Sequence, residues 1–368
     1  MNGVGKIRVL VVDDSTFMRK VLHGIITSDP QLDVCGEAKD GREAVEQCEL
    51  LKPDVVSMDI NMPRMDGLEA TELIMTKNPR PILIVSSESR DGAEITLKSL
   101  QLGAIDFVAK PSGGIDLDMS SVRDELCRKL KMAAKVRVVR TATRARAPQE
   151  NGGALQADRT PLLLPQLKGA GKFPLVVLAS STGGPAALMK LVPQFPHDFP
   201  GAVLLVQHMP GNYTSQFSKQ LAEVAYIRVK EAEAGEIIVP GQLYVCPGAC
   251  HMRVSSTGRV VLDDGPRING YRPCADLTFE SAADYAGANA IGVVLTGMGN
   301  DGTKGAQAVQ SAGGHVIAQD EGTAVIFGMP QEAIKSGAVD AVLPLENIYA
   351  SIERRVLRIF SEAGVGAP

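Results

Sequence analysis

One group of side chains in the first half of the chain could accept a phosphoryl group. Asp13 and Asp14 come directly after an apolar run, Asp59 ends another such run, and Lys110 follows a third. Three carboxylates at one place repel one another unless a cation lies among them, and oxygen ligands of this kind suit Mg²⁺. Asp59 would then be the nucleophile, with Lys110 neutralising the phosphoryl group and the Ser86 hydroxyl hydrogen-bonding to it. The alternative is that aspartates at strand ends merely cap helices.

A second group, in the other half of the chain, could hydrolyse an acyl bond. Ser181 lies where an apolar run turns into a helical pattern, with Gly183 and Gly184 behind it. Backbone amides at such a turn could face a developing oxyanion. Of the five histidines, His208 is the one placed at the C-terminal end of a predicted strand, although a structural histidine is the alternative. Asp301, in a glycine-rich loop, could fix the tautomer of that imidazole.

Commoner signatures fit these loops less well. The glycine-rich stretch around Asp301 lacks the Gly-Lys-Ser/Thr ending and the dinucleotide spacing of phosphate-binding loops. The Gly-x-Ser-x-Gly elbow is not met, because Ala179 stands at its first glycine position and the order Ser, His, Asp differs from that fold's order. Cys246 and Cys250, followed by His251, could bind a metal, but without a second pair ordinary strand and loop residues are the simpler interpretation.

Apolar runs that alternate with helical patterns predict an α/β protein with two doubly wound domains, each built on a parallel sheet. The strands predicted in the first half are 7–12, 32–38, 55–60, 82–86 and 105–109. Those predicted in the second half are 175–178, 202–206, 237–245, 290–295, 315–318 and 338–343, with a β-hairpin over 254–262 added to the sheet. Ligands gather beyond the carboxyl ends of such strands, so each chemical group is expected on one rim.

Composition narrows the class of protein. The 368 residues are 45% hydrophobic and 22% charged, with a net charge of −4, which argues against a protein that coats nucleic acid. The six cysteines form no paired framework, and no apolar stretch reaches the ~20 residues of a membrane span. We therefore expect a soluble, cytoplasmic protein. A run of Lys and Arg without acidic residues over 128–146, followed by Pro and Gly, predicts a linker that ends near 171.

The first group of residues resembles a response-regulator receiver domain, a flavodoxin-like fold, over residues 1–125. The motifs that carry this resemblance are Val11-Val12-Asp13-Asp14-Ser15, Met58-Asp59-Ile60-Asn61-Met62-Pro63, Met65-Asp66-Gly67 and the segment from Gly103 to Pro111. The resemblance implies that a histidine kinase phosphorylates Asp59. It also implies that Asp14, Asp59 and the backbone carbonyl of Asn61 hold Mg²⁺ and that Ser86 and Phe107 are the switch residues.

The second half resembles the catalytic domain of the chemotaxis protein-glutamate methylesterase family, CheB, over residues 172–368, with 126–171 as helix end and linker. The motifs are Ser181-Thr182-Gly183-Gly184, Gln207-His208-Met209-Pro210, and the stretch from Leu295 to Gly302. The resemblance implies phosphorylation-activated hydrolysis of glutamate γ-methyl esters on cytoplasmic chemoreceptor helices, releasing methanol, and deamidation of certain receptor glutamines. Ser181 would be the nucleophile, His208 the base and Asp301 its orienter, with the amide of Met298 as an oxyanion donor.

Three alternatives accompany this interpretation. Ala179-Ser180 stands where family members commonly have Gly-Ala, so Ser180 is a second candidate nucleophile. Receivers often precede DNA-binding modules, but the second half carries no basic recognition helix, and neither nucleic-acid binding nor membrane insertion is expected. A scaffold that kept the fold and lost catalysis is the third alternative, and turnover of a simple ester would distinguish it.

Overall fold

The computed structural model describes residues 5–86, 90–110, 119–136 and 173–362. The chain divides into two compact units, Met1–Pro161 and Leu162–Pro368. The linker predicted up to residue 171 lies, beyond residue 136, outside the described residues. Within the described part of the chain, no helix combines the length and the apolar character that crossing a bilayer requires.

The first unit is a five-stranded sheet in the order β2-β1-β3-β4-β5, in which every neighbouring pair is parallel. Its strands are β1 (Ile7–Val12), β2 (Leu32–Ala38), β3 (Val55–Asp59), β4 (Ile82–Ser86) and β5 (Asp106–Ala109). Its helices are α1 (Thr16–Thr27), α2 (Gly41–Leu51), α3 (Gly67–Lys77), α4 (Arg90–Gln101) and α5 (Met119–Ala133). Helix α1 packs with α5, whereas α3 packs with both α2 and α4, so the helices form two groups.

Local signals explain where the helices of this unit begin. The Ser15 hydroxyl caps α1 by accepting a hydrogen bond from the amide of Met18 at 3.3 Å. The carboxylates of Asp40 and Asp66 cap α2 and α3 in the same way. Because Ser15 is the cap of α1, the helix-cap alternative for the preceding aspartates does not explain their position.

The second unit is a seven-stranded parallel sheet in the order β14-β13-β12-β6-β7-β9-β8. Its strands are β6 (Leu175–Ser180), β7 (Ala202–Gln207), β8 (Arg228–Glu231), β9 (Gln242–Val245), β12 (Ala290–Val294), β13 (His315–Gln319) and β14 (Ala341–Leu343). Its helices are α6 (Gly184–Leu191), α7 (Gly211–Val224), α8 (Ala275–Ala286), α9 (Thr303–Ser311), α10 (Met329–Lys335) and α11 (Leu345–Glu362). One group contains α6, α7 and α11, and the other contains α8, α9 and α10.

The predicted two-domain, doubly wound fold is confirmed, with three corrections in the second unit. The strand predicted over 237–245 begins only at Gln242, and Ile237 instead forms a single bridge with Arg259. The hairpin consists of β10 (His251–Val254) and β11 (Val260–Asp263), and it forms its own two-stranded antiparallel sheet beside α8 rather than extending the large sheet. Strand β8 was not predicted, because its charged edge residues carry no apolar run.

Candidate functional site

The candidate catalytic residues follow three neighbouring strands at the centre of the large sheet. Ser181 comes directly after β6, His208 directly after β7, and Asp301 lies in the loop after β12. Strand β6 pairs in parallel with β12 on one side and with β7 on the other. The carboxyl ends of these three strands therefore lie side by side, which brings the three side chains to one rim.

Backbone contacts hold Ser181 in a tight turn between β6 and α6. Its amide donates to the carbonyl of Thr296 at 3.0 Å, and its carbonyl accepts from the Gly184 amide at 2.8 Å. The side-chain amide of Gln207 donates to the same Ser181 carbonyl at 2.9 Å. A Cβ at Gly297 would lie 2.9 Å from the Ser181 Cβ, so only glycine lets the loop after β12 pass this close to the serine.

His208 is oriented by Asp301. Its Nε2 lies 2.7 Å from Oδ2 of Asp301, while its Nδ1 is buried and has no hydrogen-bond partner among the described residues. A neutral imidazole with its proton on Nε2 keeps a lone pair on Nδ1, which can take a proton. The structure records no hydrogen bond between this ring and the Ser181 hydroxyl, as is common in an enzyme without substrate.

The carboxylate of Asp301 is surrounded by donors. It accepts hydrogen bonds from the amides of Ala275 at 2.6 Å, Asp276 at 3.0 Å and Gly302 at 3.0 Å, and from the Cys274 thiol at 3.2 Å. Burial alone would raise the pKa of Asp301, but His208 and the amides at the start of α8 hold that pKa below its ordinary value. These donors stabilise the charged form of Asp301.

The two adjacent serines have different surroundings. The Ser180 side chain is fully buried, and its hydroxyl donates to Oε1 of Gln207 at 2.6 Å. Ser181 is only partly buried, at the rim where the strands end. The Ser180 hydroxyl is thus engaged in supporting Gln207, which in turn holds Ser181, and this favours Ser181 as the nucleophile.

Three side chains at this rim were given no role from the sequence, although Gln207 stands in one of the quoted motifs. Gln207 connects Ser181 to the neighbouring strand, the Cys274 thiol contacts Asp301, and the ring of Tyr271 stacks on His208 with centroids 4.5 Å apart. Only the Asn-Gly pair before Tyr271 is a local signal, because that pair marks a tight turn. The other contacts join residues far apart in the sequence.

The acidic residues of the first unit gather at the ends of β1 and β3, which pair with each other. One carboxylate oxygen from each of Asp13, Asp14 and Asp59 lies within 4.8 Å of the other two. The ammonium of Lys110 lies 2.8 Å from Asp13 and 2.8 Å from Asp59. This set of oxygen donors, with Asp14 exposed to solvent, fits a hard divalent cation such as Mg²⁺.

The pKa of Asp59 at this rim is shifted in the opposite direction from the pKa of Asp301. Burial raises the pKa of Asp59 above its ordinary value, and the ammonium of Lys110 offsets only part of that effect. Burial would lower the pKa of Lys110, but the two carboxylates raise it. Asp59 accepts one backbone hydrogen bond, from Ile60 at 2.7 Å.

The remaining predicted residues of this unit lie around the same rim. Ser86 ends β4 and is buried, and its carbonyl accepts from the Lys110 amide at 2.7 Å. Phe107 lies in β5 with its ring buried. Asn61 is exposed in the loop after β3. The ammonium of Lys129 in α5 lies 5.4 Å from the Phe107 ring centroid, a contact that the sequence did not predict.

The weak metal-site alternative around Cys246 and Cys250 is contradicted by their contacts. The Cys246 thiol donates to the carbonyl of Cys250 at 3.6 Å. Both ring nitrogens of His251 contact the backbone, with Nε2 3.0 Å from the Pro266 carbonyl and Nδ1 3.2 Å from the Cys274 amide. These residues serve the fold of the hairpin region.

Comparison with known proteins agrees with this division of the chain. A profile of the CheB methylesterase domain matches residues 176–352, and a profile of the response regulator receiver domain matches residues 9–120. The protein-glutamate methylesterase/protein-glutamine glutaminase of Pyrococcus abyssi is 46% identical over 98% of this chain and 96% of that protein. The protein of that name from Symbiobacterium thermophilum is 46% identical over 95% and 97%. The solved CheB methylesterase catalytic domain of Thermotoga maritima is 42% identical, covers 50% of this chain and 98% of that chain, and has a TM-score of 0.48.

Proposed function

Because this chain belongs to the CheB family of protein-glutamate methylesterases/protein-glutamine glutaminases, we propose that it demethylates chemoreceptors by a Ser-His-Asp mechanism under phosphorylation control. Its substrates are glutamate γ-methyl esters and certain glutamines on cytoplasmic receptor helices. The observation that carries the mechanism is His208 itself. Its Nε2 is held by Asp301 at 2.7 Å, its Nδ1 is unpartnered among the described residues, and its strand adjoins that of Ser181.

In the first step, Oγ of Ser181 attacks the γ-carbonyl carbon of the ester while its proton passes to Nδ1 of His208. The bond to the methoxy group then breaks, and methanol leaves with that proton, so the receptor glutamate is left as an acyl-serine. A water molecule, deprotonated by His208, hydrolyses the acyl-serine to the free carboxylate. With a glutamine substrate, ammonia leaves in place of methanol.

Asp301 and the loop that carries it assist both steps. The carboxylate keeps the imidazole proton on Nε2 and stabilises the imidazolium after proton transfer. Its lowered pKa keeps it charged across the neutral range. The amide of Met298, next to the glycine that packs on Ser181, is proposed as a donor to the oxyanion.

Control is proposed to come from residues 1–125, with 126–171 connecting them to the catalytic residues 172–368. Oδ2 of Asp59 attacks the phosphorus of a phosphohistidine in a partner kinase, and the histidine nitrogen leaves. Mg²⁺ held by Asp14, Asp59 and the Asn61 carbonyl would neutralise charge as the phosphate approaches, beside Asp13. Lys110 pairs with the transferred group, and Ser86 and Phe107 respond to it as switch residues.

Replacement of the nucleophile tests the catalytic proposal. Ser181→Ala in the full chain is expected to reduce methanol release from methylated receptor by about 10⁴- to 10⁶-fold, because loss of a triad member removes the covalent route. Thermal unfolding of the variant should match the parent chain, since one partly exposed hydroxyl contributes little to stability.

Ser180→Ala is the matched control. It removes the hydroxyl that donates to Gln207 at 2.6 Å, so it should lower stability by about 1 kcal/mol and leave turnover within roughly tenfold. If the Ser180 variant is inactive and the Ser181 variant is active, the nucleophile has been assigned to the wrong serine.

A further inference from the structure

The ring of Tyr271 lies nearly parallel to the imidazole of His208. Their centroids are 4.5 Å apart and their planes differ by 18°, which is an offset stack rather than a chance edge contact. Tyr271 takes no part in the steps described above. Tyr271 nevertheless contacts His208, the side chain that is proposed to gain and lose a proton during those steps.

A tight turn presents Tyr271 to the histidine. Ile268 and Tyr271 exchange two backbone hydrogen bonds, of 3.0 and 2.9 Å, around Asn269 and Gly270. Both central residues have positive φ, 51° and 87°, as a type I′ turn requires, and Asn-Gly is the preferred pair for that turn. The backbone that carries the ring therefore has a defined conformation.

The segment around this turn is anchored on both sides. Nη1 of Arg272 donates to the carbonyls of Asp264 and Gly265, each at 2.9 Å. The buried ring of His251 contacts the Pro266 carbonyl at 3.0 Å and the Cys274 amide at 3.2 Å, so it ties both ends of the segment to β10. The position of the Tyr271 ring is thus set by the fold.

The other edge of the ring packs on the loop that carries Asp301. The Tyr271 phenol occupies the space that a side chain at Gly299 would need. Its hydroxyl donates to the Met298 carbonyl in a long hydrogen bond of 3.5 Å. The ring therefore lies between the catalytic histidine and the loop proposed to supply the oxyanion donor.

We propose that Tyr271 is a positioning residue for His208. The stack fixes the plane of the imidazole so that Nε2 meets Asp301 while Nδ1 remains available to Ser181. The aromatic face also attracts the imidazolium that forms when His208 takes the serine proton, because a cation over a ring face within ~6 Å is stabilised. This proposal rests on the Ser-His-Asp mechanism proposed above.

The effect belongs to the transition state. In the proposed mechanism the imidazole gains its positive charge from the serine proton, so the cation–π contribution lowers the barrier without strengthening substrate binding. The ring is responsible, because it is the ring that stacks on the imidazole. A contact made only in the transition state changes kcat and leaves KM nearly constant.

The test uses the full chain and methanol release from methylated receptor. Tyr271→Leu should lower kcat by about 3- to 30-fold with KM unchanged, the range that a cation–π contact at a partly desolvated site supplies. Tyr271→Phe, which keeps the ring, should stay within about twofold of the parent chain. Tyr226→Leu is the control, since Tyr226 is 72% exposed and should leave both constants unchanged.

Several outcomes would overturn the proposal. A higher KM with unchanged kcat in Tyr271→Leu would make Tyr271 a substrate contact, and equal losses in the Leu and Phe variants would assign the effect to the hydroxyl. If calorimetry shows that the Leu variant does not fold, Tyr271→Met replaces it. A folded variant that lacks the ring and turns over substrate as fast as the parent chain would refute the proposal. Full activity of Ser181→Ala would refute the mechanism itself, a result that the Tyr271 variants cannot produce.

Discussion

Each unit contains a buried aspartate near the carboxyl end of a central strand, and the pKa values of the two aspartates are shifted in opposite directions. Asp59 ends a central strand of the first sheet and Asp301 follows a central strand of the second, and each is only 3% exposed. Yet the pKa of Asp59 is raised above the ordinary value, whereas the pKa of Asp301 is lowered below it. Burial is common to both, so it cannot be what decides the direction.

The donors and charges around each carboxylate decide the direction. Asp301 receives three backbone hydrogen bonds, a thiol and the imidazole of His208. Among the described residues, Asp59 receives one backbone hydrogen bond and shares the ammonium of Lys110 with Asp13, whose charge also raises the pKa of Asp59. Hydrogen bonds to a carboxylate favour its charged form, and burial without enough of them disfavours it.

This difference follows from what each carboxylate is proposed to do. An aspartate that orients an imidazole must keep its charge and its position, so every lone pair can be occupied. An aspartate that attacks phosphorus must keep an oxygen accessible, so its charge is left to be balanced by a cation. The first arrangement stabilises the fold, and the second costs stability in return for reactivity.

The largest expected effect concerns the reactive carboxylate. Phosphate incorporation from a small phosphodonor should require Mg²⁺ and should be abolished in Asp59→Asn, because Asp13, Asp14 and Asp59 repel an incoming phosphate unless a divalent cation lies among them. Radiolabel incorporation with and without EDTA measures it. Asp33→Asn, at an exposed aspartate of β2, is the control and should be phosphorylated normally. Phosphate incorporation that persists in EDTA would show that no divalent cation is needed to balance the charge of Asp59, contrary to the comparison drawn above.

The second prediction contrasts the two carboxylates in stability at pH 7. Asp301→Asn should destabilise the second unit by about 1.5–3 kcal/mol, because amides that donated to a charged group lose it. Asp59→Asn should instead stabilise the first unit by up to about 1 kcal/mol, since it removes a buried charge while Lys110 keeps Asp13 as a partner. Calorimetry of the full chain measures both transitions. Stabilisation by both variants would mean that burial, and not the donor count, controls these sites.

Much of the fold could be predicted because it depends on local pattern. The predicted bounds of β1, β2 and β4 agree with the structure, and most other strands differ by one to three residues. The candidate site residues could be proposed because they stand in the quoted motifs and because parallel strands direct their carboxyl ends to one rim whatever the strand order. Strand β8 was missed because an edge strand with charged side chains has no apolar alternation.

What could not be predicted depends on contacts between distant segments. The Ala275 amide at the start of α8 donates to Asp301, which lies 26 residues later in the sequence, and no pattern near Ala275 predicts a carboxylate partner. The stack of Tyr271 on His208 joins a turn to a strand end in the same way. The sequence identified candidate residues for chemistry, whereas their supporting contacts became visible only in the packed structure.

The smallest expected effect concerns Asp276, the neighbour of Asp301 in α8. Burial, together with the charge of Asp301, raises the pKa of Asp276 from 3.8 to about 6, although the Gly305 amide donates to it at 2.8 Å. A carboxyl whose pKa is raised on folding contributes stability that is fully present below pH ~4 and is lost as the pH rises through ~6. Asp276→Asn should therefore gain stability relative to the parent chain between pH 4.5 and pH 7, by about 1 kcal/mol, because solvent near the site screens part of the charge. Urea denaturation at the two pH values measures this, with Asp284→Asn, an exposed aspartate of the same helix, as the control. An equal stability difference at both pH values would show that Asp276 is charged throughout this range, and the donors around Asp301 would then have to serve both carboxylates.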